Sequence, residues 1–541
     1  MAFAVEGTPL RAISQLQGIA DMTDFPIRRS VQRLALMAVP ALALAAPVHA
    51  QSFTLEEATI ESLHAALAAG ETTCVDVVEG YIARIEAYDD QGPSLNAILT
   101  VNPAALDIAA ELDAAYAEDP EAVGPLHCVP AIIKDNYNTF DMPTSGGVSA
   151  MATSQPAEDA HAIAQMREAG AVILAKANLM ELAMGGTTFS SLGGQTLNPY
   201  DLTRTPGGSS GGTGAAIAAS LGILGTGSDT GQSTRSPASA QSLVGIRPTR
   251  GLLSRAGVIP LSVTQDEIGP ITRTVADAAQ LLQVIAGYDP ADPITAASIG
   301  NIPDYLEALD PDALDGARIG LLTDVVGSEE RHAEVNAVLD EAIAVMESLG
   351  AEVVEISIPD FADLTSGMGT SNAEFGAAFA AYLEALGPDA PITTAAQLVE
   401  SGAFSVNADS LTSREVSEAA MQEAGYLGIF RKRDEFQKAL YVVMADNELD
   451  AILYPHQSVL VAPIADGNQL ERNGVISNAS GFPAVTFPGG FSTPTDDAPI
   501  GVPVGLEFLG RPWSEAELIG FAYAYEQAAN PRQAPQSTPS L

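Results

Sequence analysis

Arg204-Thr205-Pro206-Gly207-Gly208-Ser209-Ser210-Gly211-Gly212 and Gly227-Ser228-Asp229-Thr230-Gly231-Gln232-Ser233-Thr234-Arg235-Ser236-Pro237 set two serine-bearing glycine clusters close together in the chain. Well upstream stands Lys134, in Ala131-Ile132-Ile133-Lys134-Asp135-Asn136. Two hydroxyls and one amine suffice to build an activated nucleophile without histidine, provided backbone N–H groups are placed to receive an oxyanion. Lysine is a poor base while protonated. To serve, Lys134 has to be held neutral by burial among neighbours such as Ile132 and Ile133, which lowers its pKa towards roughly 7 to 8.

Each cluster taken alone has other readings. A Gly-Gly-Ser-Ser-Gly-Gly string fits a flexible turn or a phosphate-cradling nest, and Gly208-x-Ser210-x-Gly212 fits the nucleophile elbow of an α/β-hydrolase. The elbow needs a histidine base, for which His332 and His456 are available. A Walker loop fails because no Lys-Ser/Thr pair follows at the required distance, and the context of a dinucleotide-binding fingerprint is missing.

The flanking sequence alternates between helix and strand patterns. Residues 54–88 carry two sets of apolar side chains at three- and four-residue steps, broken at Gly70, and read as two amphipathic helices. Short branched runs over 95–101 and 129–134 read as strands, which puts Lys134 at a strand end. A helix over 159–168, a strand over 172–175 and a further helix capped by Asn178 with Glu181 follow. Residues 213–221 suit a tightly packed helix. Thr274 and Asp277 form a capping box for a helix through Ile285, 319–322 restarts the strand rhythm, and 334–349 is helical. Residues 361–423 are rich in Ala, Ser and Gly with weak periodicity, and predict helices and loops covering one face of a sheet. Residues 180–189 and 361–404 are expected to line the acyl and leaving-group pockets.

Read together, Lys134-Asp135-Asn136, Asn198-Pro199-Tyr200, the two serine clusters and Gly269-Pro270 strongly resemble the amidase signature family, in particular its exported, peptide-amidase-like branch. The likeness runs from about residue 54 to 290 and resumes weakly over 478–488 and 505–526, and Ser209 and Ser233 hold the family's spacing. The resemblance implies an α/β fold, a large mixed β-sheet covered by helices on both faces, in one domain over 51–541 with a variable helical cover around 361–423. It implies Ser233 as nucleophile, Ser209 as a bridging serine behind a cis peptide bond after Gly208, and Lys134 as base. It assigns the oxyanion hole to the N–H groups of Thr230, Gly231, Gln232 and Ser233, with Ser210 as a supporting partner, Asp229 and Arg235 as anchors of the turn, and Lys176 in a structural role. Gln232 stands where the family commonly has glycine, so it either points away from the substrate or shapes leaving-group specificity. The implied reaction is hydrolysis of a carboxylic amide through an acyl-serine, without cofactor or metal. Esters and carbamates are open to the same chemistry. Amidotransferase A-type subunits, which work with tRNA, resemble the same block.

The 541 residues are 47% hydrophobic and 17% charged, a globular composition, and carry a formal net charge of −44. Phosphate is repelled by such a surface, which argues against nucleic acid or an anionic membrane as partner and favours a neutral or cationic small-molecule amide for a monomer or homodimer. Arg28, Arg29 and Arg33 precede an apolar stretch ending in Val48-His49-Ala50, the pattern of a cleavable signal. Residues 1–50 are therefore expected to be a leader cut after Ala50, with Met1 or Met22 as start, and the mature chain to be periplasmic or secreted. No HExxH or CxxC spacing indicates zinc. Cys74 and Cys128 are read as small buried hydrophobes rather than as a pair.

Overall fold

Eleven strands assemble into one mixed sheet in the computed structural model, which describes residues 53–388, 390–406 and 420–541. The expected leader and part of the 361–423 cover lie outside the described residues. In chain order the strands are β1 (Ile98–Val101), β2 (Pro130–Lys134), β3 (Val172–Ala177), β4 (Phe189–Ser190), β5 (Gly194–Gln195), β6 (Leu224–Asp229), β7 (Val244–Arg247), β8 (Glu267–Thr272), β9 (Arg318–Leu322), β10 (Glu352–Ile356), β11 (Ala451–Pro455), β12 (Ala484–Phe491) and β13 (Pro503–Leu509). The large sheet runs β1-β3-β2-β6-β8-β7-β12-β13-β11-β9-β10, while β4 and β5 form a separate hairpin. β3, β2 and β6 are parallel, the centre from β6 to β11 is antiparallel, and β11, β9 and β10 are parallel again. Strands β2, β3, β6, β7, β8 and β13 are buried at every position, the signature of a sheet covered by helices on both faces. The fold class implied by the resemblance is the one found.

Most of the local readings hold, for reasons that can be named. Thr59 and Thr73 accept from the N–H groups of Ser62 and Asp76 and so start the helices Ile60–Ala69 and Cys74–Ile85, and Gly70 ends the first in a left-handed conformation. The helix Gly211–Ala218 is built from small residues because it lies directly on β6: a Cβ on Gly225 would run into Thr213, and one on Gly212 into the carbonyl of Asn178. This close approach brings Ser209 and Ser210, at the helix start, onto the sheet.

Three expectations are corrected. Cys74 and Cys128 form a disulfide, with Cα atoms 5.4 Å apart; the first opens the helix Cys74–Ile85 and the second precedes β2, so packing places the two buried thiols face to face. No regular helix follows Asn178. Its side-chain oxygen takes hydrogen bonds from Leu179 N and Ser190 Oγ, and Glu181 is drawn to the N–H groups of Ser191, Ser405 and Val406, leaving only a single turn over Glu181–Ala183. Thr274 does cap the helix Val275–Ile285 through Asp277 N, but the Asp277 carboxylate accepts from Ile60 N of the first helix instead of closing a reciprocal box.

The cover contains the helices Phe361–Thr365, Ser371–Leu386 and Ala395–Ser401. Phe375 and Phe379 of the second stack at 5.1 Å and pack with Val148, Ile259 and Leu261, so the cover shares an apolar cluster with loops beside the serine clusters.

Candidate active site

Lys134 ends β2 with no exposed surface, behind Ile132 and Ile133, which are equally buried. Its Nζ lies 2.7 Å from Ser209 Oγ and 2.8 Å from Ser228 Oγ, and donates to Ser228 O at 3.3 Å. Burial lowers its pKa to about 7, although the carboxylates of Asp229 and Asp266 pull the other way. A substantial fraction of the amine is therefore neutral near pH 7, with a lone pair for an incoming proton. The Gly208–Ser209 peptide bond is cis, as the resemblance implies. Glycine is required at 208 because a Cβ there would press on the backbone of Gly186.

Ser233 sits one turn before the helix Arg235–Ala240, nearly buried, and its carbonyl accepts from Ser210 N at 3.2 Å, which ties the two glycine clusters together. The turn is held from behind. The Asp229 carboxylate accepts from Thr234 N at 3.1 Å and from the buried Arg235 and Arg247 guanidiniums at 3.1 and 2.8 Å. Burial alone would raise the Asp229 pKa, but the two arginines outweigh it and keep the group ionised. Arg235 reaches on to Glu507 at 2.5 Å and to the carbonyl of Gly231 at 2.7 Å. With the turn fixed this way, the N–H groups of Thr230, Gly231, Gln232 and Ser233 make no hydrogen bond to the described residues. Such a run of unpaired donors beside a serine suits a developing oxyanion.

Lys176 has a different task. Its Nζ pairs with Asp135 at 3.1 Å and donates to the carbonyls of Tyr137 and Pro143, pinning the loop that follows Lys134. The histidines stand apart from the serines: His456 bonds Glu507, His332 bonds Glu471, and Ser210 Oγ donates to the Ser228 carbonyl. No elbow-type Ser-His pair forms among the described residues.

Beside Ser233 opens a cavity of about 230 Å³, floored by Thr230, Gly231 and Gln232 and walled by Met184, Gln265 and Arg472. A second, of about 200 Å³, adjoins it through Ala183, Thr230 and Leu261 and reaches Ser228 and Ile259. The expected lining segments contribute in part: Ala183, Met184 and Gly185 from one, Gly369 and Ser371 from the other.

The amidase family model matches residues 76–519. The chain belongs to the amidase family. It is a serine hydrolase acting on amides. Among curated relatives of this amidase, the A-type subunit of glutamyl-tRNA(Gln) amidotransferase from Prochlorococcus marinus (strain MIT 9303) is 34% identical over 487 residues, 85% of this chain and 95% of that one. Among solved structures, native peptide amidase from Stenotrophomonas maltophilia superposes with a TM-score of 0.80 at 34% identity, covering 89% of this chain and 99% of that one. The corresponding glutamyl-tRNA(Gln) amidotransferase chain from Thermotoga maritima gives a TM-score of 0.70 at 27% identity, covering 89% and 98%.

Sequence reading of the amidase missed Ser228 and Asn136, whose Nδ2 donates to Ser228 Oγ at 3.0 Å, and it missed Gln265 and Arg472. Ser228 carried a signal. It alternates with Thr226, whose hydroxyl accepts from Lys134 N, so the period of two along β6 sets both hydroxyls toward Lys134. Gln265 and Arg472 carried none, since only the tertiary fold brings them beside Ser233.

Proposed function

We propose that the enzyme cleaves a carboxylic amide through an acyl-Ser233 intermediate, with Ser209 passing protons between Ser233 and Lys134. The observation that carries this reading is the Lys134 amine, part-neutral near pH 7, 2.7 Å from Ser209 Oγ. Ser233 Oγ attacks the amide carbon while its proton moves to Ser209 and the Ser209 proton to Lys134 Nζ. The carbonyl oxygen, now an anion, takes hydrogen bonds from the turn over 230–233; loss of one such donor costs on the order of 3 kcal/mol of barrier. Collapse expels the amine with the proton returned along the same path, and water repeats the sequence on the ester. Lys134 and Ser209 are the general base and its relay, and Ser228 and Asn136 orient the lysine.

A fluorophosphonate probe tests the assignment. We expect one adduct, at Ser233, none in Ser233→Ala, and amide turnover reduced at least a hundredfold in Ser209→Ala and Lys134→Ala with circular dichroism unchanged. An adduct on Ser210, or full turnover by Lys134→Ala, refutes it. Turnover of peptide amides, aryl amides and short aliphatic amides, with esters alongside, then ranks substrates.

We also infer that the enzyme works in an oxidising compartment, as a monomer or homodimer and without nucleic acid. The Cys74–Cys128 bridge and the signal-like pattern over 28–50 support the first, and the acidic surface supports the last. The Prochlorococcus relative favours one second reading, a component of an amidotransferase. The two part on a simple point: an independent amidase turns over amides as a purified single chain, whereas an amidotransferase component is inert until its partners are added.

A further inference from the structure

Among the described residues, Arg472 is the one charged side chain lining the cavity beside Ser233. Its guanidinium makes no ion pair or hydrogen bond with any described residue; the residue is half-buried, and desolvation lowers its pKa. Other arginines in this region are spoken for: Arg235 and Arg247 hold Asp229, and Arg255 holds Asp292. A half-buried cation that lines the cavity beside Ser233 with no counter-charge among the described residues is placed to pair with a ligand that supplies one.

The surroundings are shaped for it. A Cβ on Gly186 would overlap Nη1 of Arg472, so glycine at that position makes room for the guanidinium next to the Gly208 backbone. Nearby amides are committed elsewhere: Gln265 Nε2 donates to Asn478 Oδ1 at 2.6 Å, and its oxygen accepts from Thr370 N and Oγ1. Gln232 uses its oxygen on Gly474 N at 3.3 Å, which leaves its Nε2 as a second open donor at the cavity. The neighbouring acid does not neutralise the site, because Glu471 turns away to His332 and Arg331, each at 2.6 Å.

We propose that this cavity is a carboxylate subsite, so that the substrate is an amide bearing a carboxylate, held by the fork of Arg472 with help from Gln232. The proposal rests on Ser233 as nucleophile and names the substrate class for that site. A planar guanidinium matches a carboxylate with two parallel hydrogen bonds. The overall charge of −44 opposes anions at long range only: fields of distant surface acids are screened within roughly 8 Å at physiological salt, while Arg472 acts at contact.

Two matched pairs of primary or secondary amides test this. In one pair the acyl part ends in a carboxylate or in the isosteric isopropyl group; in the other the leaving amine does. For one pair we expect kcat/KM to favour the carboxylate by about tenfold to a hundredfold, which also tells on which side of the scissile bond the subsite lies. Arg472→Gln is expected to remove that preference, and Arg472→Glu to reverse it. Turnover by wild type without carboxylate preference in either pair overturns the proposal, as does a preference that survives in Arg472→Gln. Calorimetric titration with glutarate separates this failure from failure of the acyl-serine reading. Glutarate binding by wild type and not by Arg472→Gln supports the subsite even where no amide is turned over, and absence of binding overturns it even where amides are cleaved.

Discussion

Lys134 is the residue whose environment matters most, because desolvation by its buried surroundings gives an amine that would carry a proton in water a pKa of about 7. The sign of the resulting pH dependence follows. Below pH 7 the amine is charged and cannot accept the Ser209 proton, so kcat/KM is expected to rise about tenfold per pH unit up to near 7 and level off above it, as a pH–rate profile on a neutral amide reads. Asp229 supplies a second prediction at this scale. Its negative charge raises the Lys134 pKa, and it neutralises two buried arginines. Asp229→Asn is expected to move the rising limb to lower pH and to cost about 3–5 kcal/mol in urea denaturation, since it strands the charges of Arg235 and Arg247. An unshifted limb with unchanged stability would show that Asp229 does not bear on the lysine. Lys134, Ser209 and Ser233 were proposed from the sequence because their glycine-rich block resembles the amidase signature family's. Arg472 was not, because a single arginine has no local signature until folding shows what it lies against.

At the scale of elements, the site is a set of close backbone approaches. The turn over 230–233 passes so near Gly474, which precedes the helix Val475–Ser480, that a Cβ on Gly474 would overlap the Cβ of Gln232 and meet the carbonyl of Gly231 at 2.9 Å. Gly474→Ala is therefore expected to displace the oxyanion donors and lower kcat about tenfold to a hundredfold with a smaller change in KM, and Gln232→Gly in that background to restore part of the loss. Equal activity of Gly474→Ala and wild type in steady-state assays would mean the turn yields without consequence. In the same contact the backbone of Gln232 belongs to the turn and its side-chain oxygen is tied to Gly474. Element types followed from periodicity and caps wherever a segment's own hydrogen bonds closed locally, as at Thr59, Thr73 and Gly70. They failed at Glu181, where a carboxylate that would suit a helix start is captured by backbone donors from 191 and 405–406, far away in sequence.

For the whole molecule, the Cys74–Cys128 bridge closes 54 residues and ties the helix Cys74–Ile85 to the approach of β2, which carries Lys134 at its end. Chain-entropy reasoning gives such a loop about 4 kcal/mol of stabilisation. Reductant, or Cys74→Ala with Cys128→Ala, is expected to lower the unfolding free energy by a few kcal/mol while activity near room temperature persists, as paired denaturation and turnover measurements read. Unchanged stability on full reduction would remove the bridge from the account of this fold.

By itself the sequence determined the α/β class and the small-residue helix after the first serine cluster, and it pointed to the Lys-Ser-Ser chemistry proposed above. These depend on local periodicity, on glycines where no Cβ fits, and on the few side chains able to activate a hydroxyl without histidine. The order of the eleven strands, the pairing of two cysteines that looked like buried hydrophobes and the place of Arg472 beside Ser233 were decided only by the tertiary structure. Each is a contact between segments remote in the chain, and its free energy arises from desolvation and packing that exist only once those segments meet.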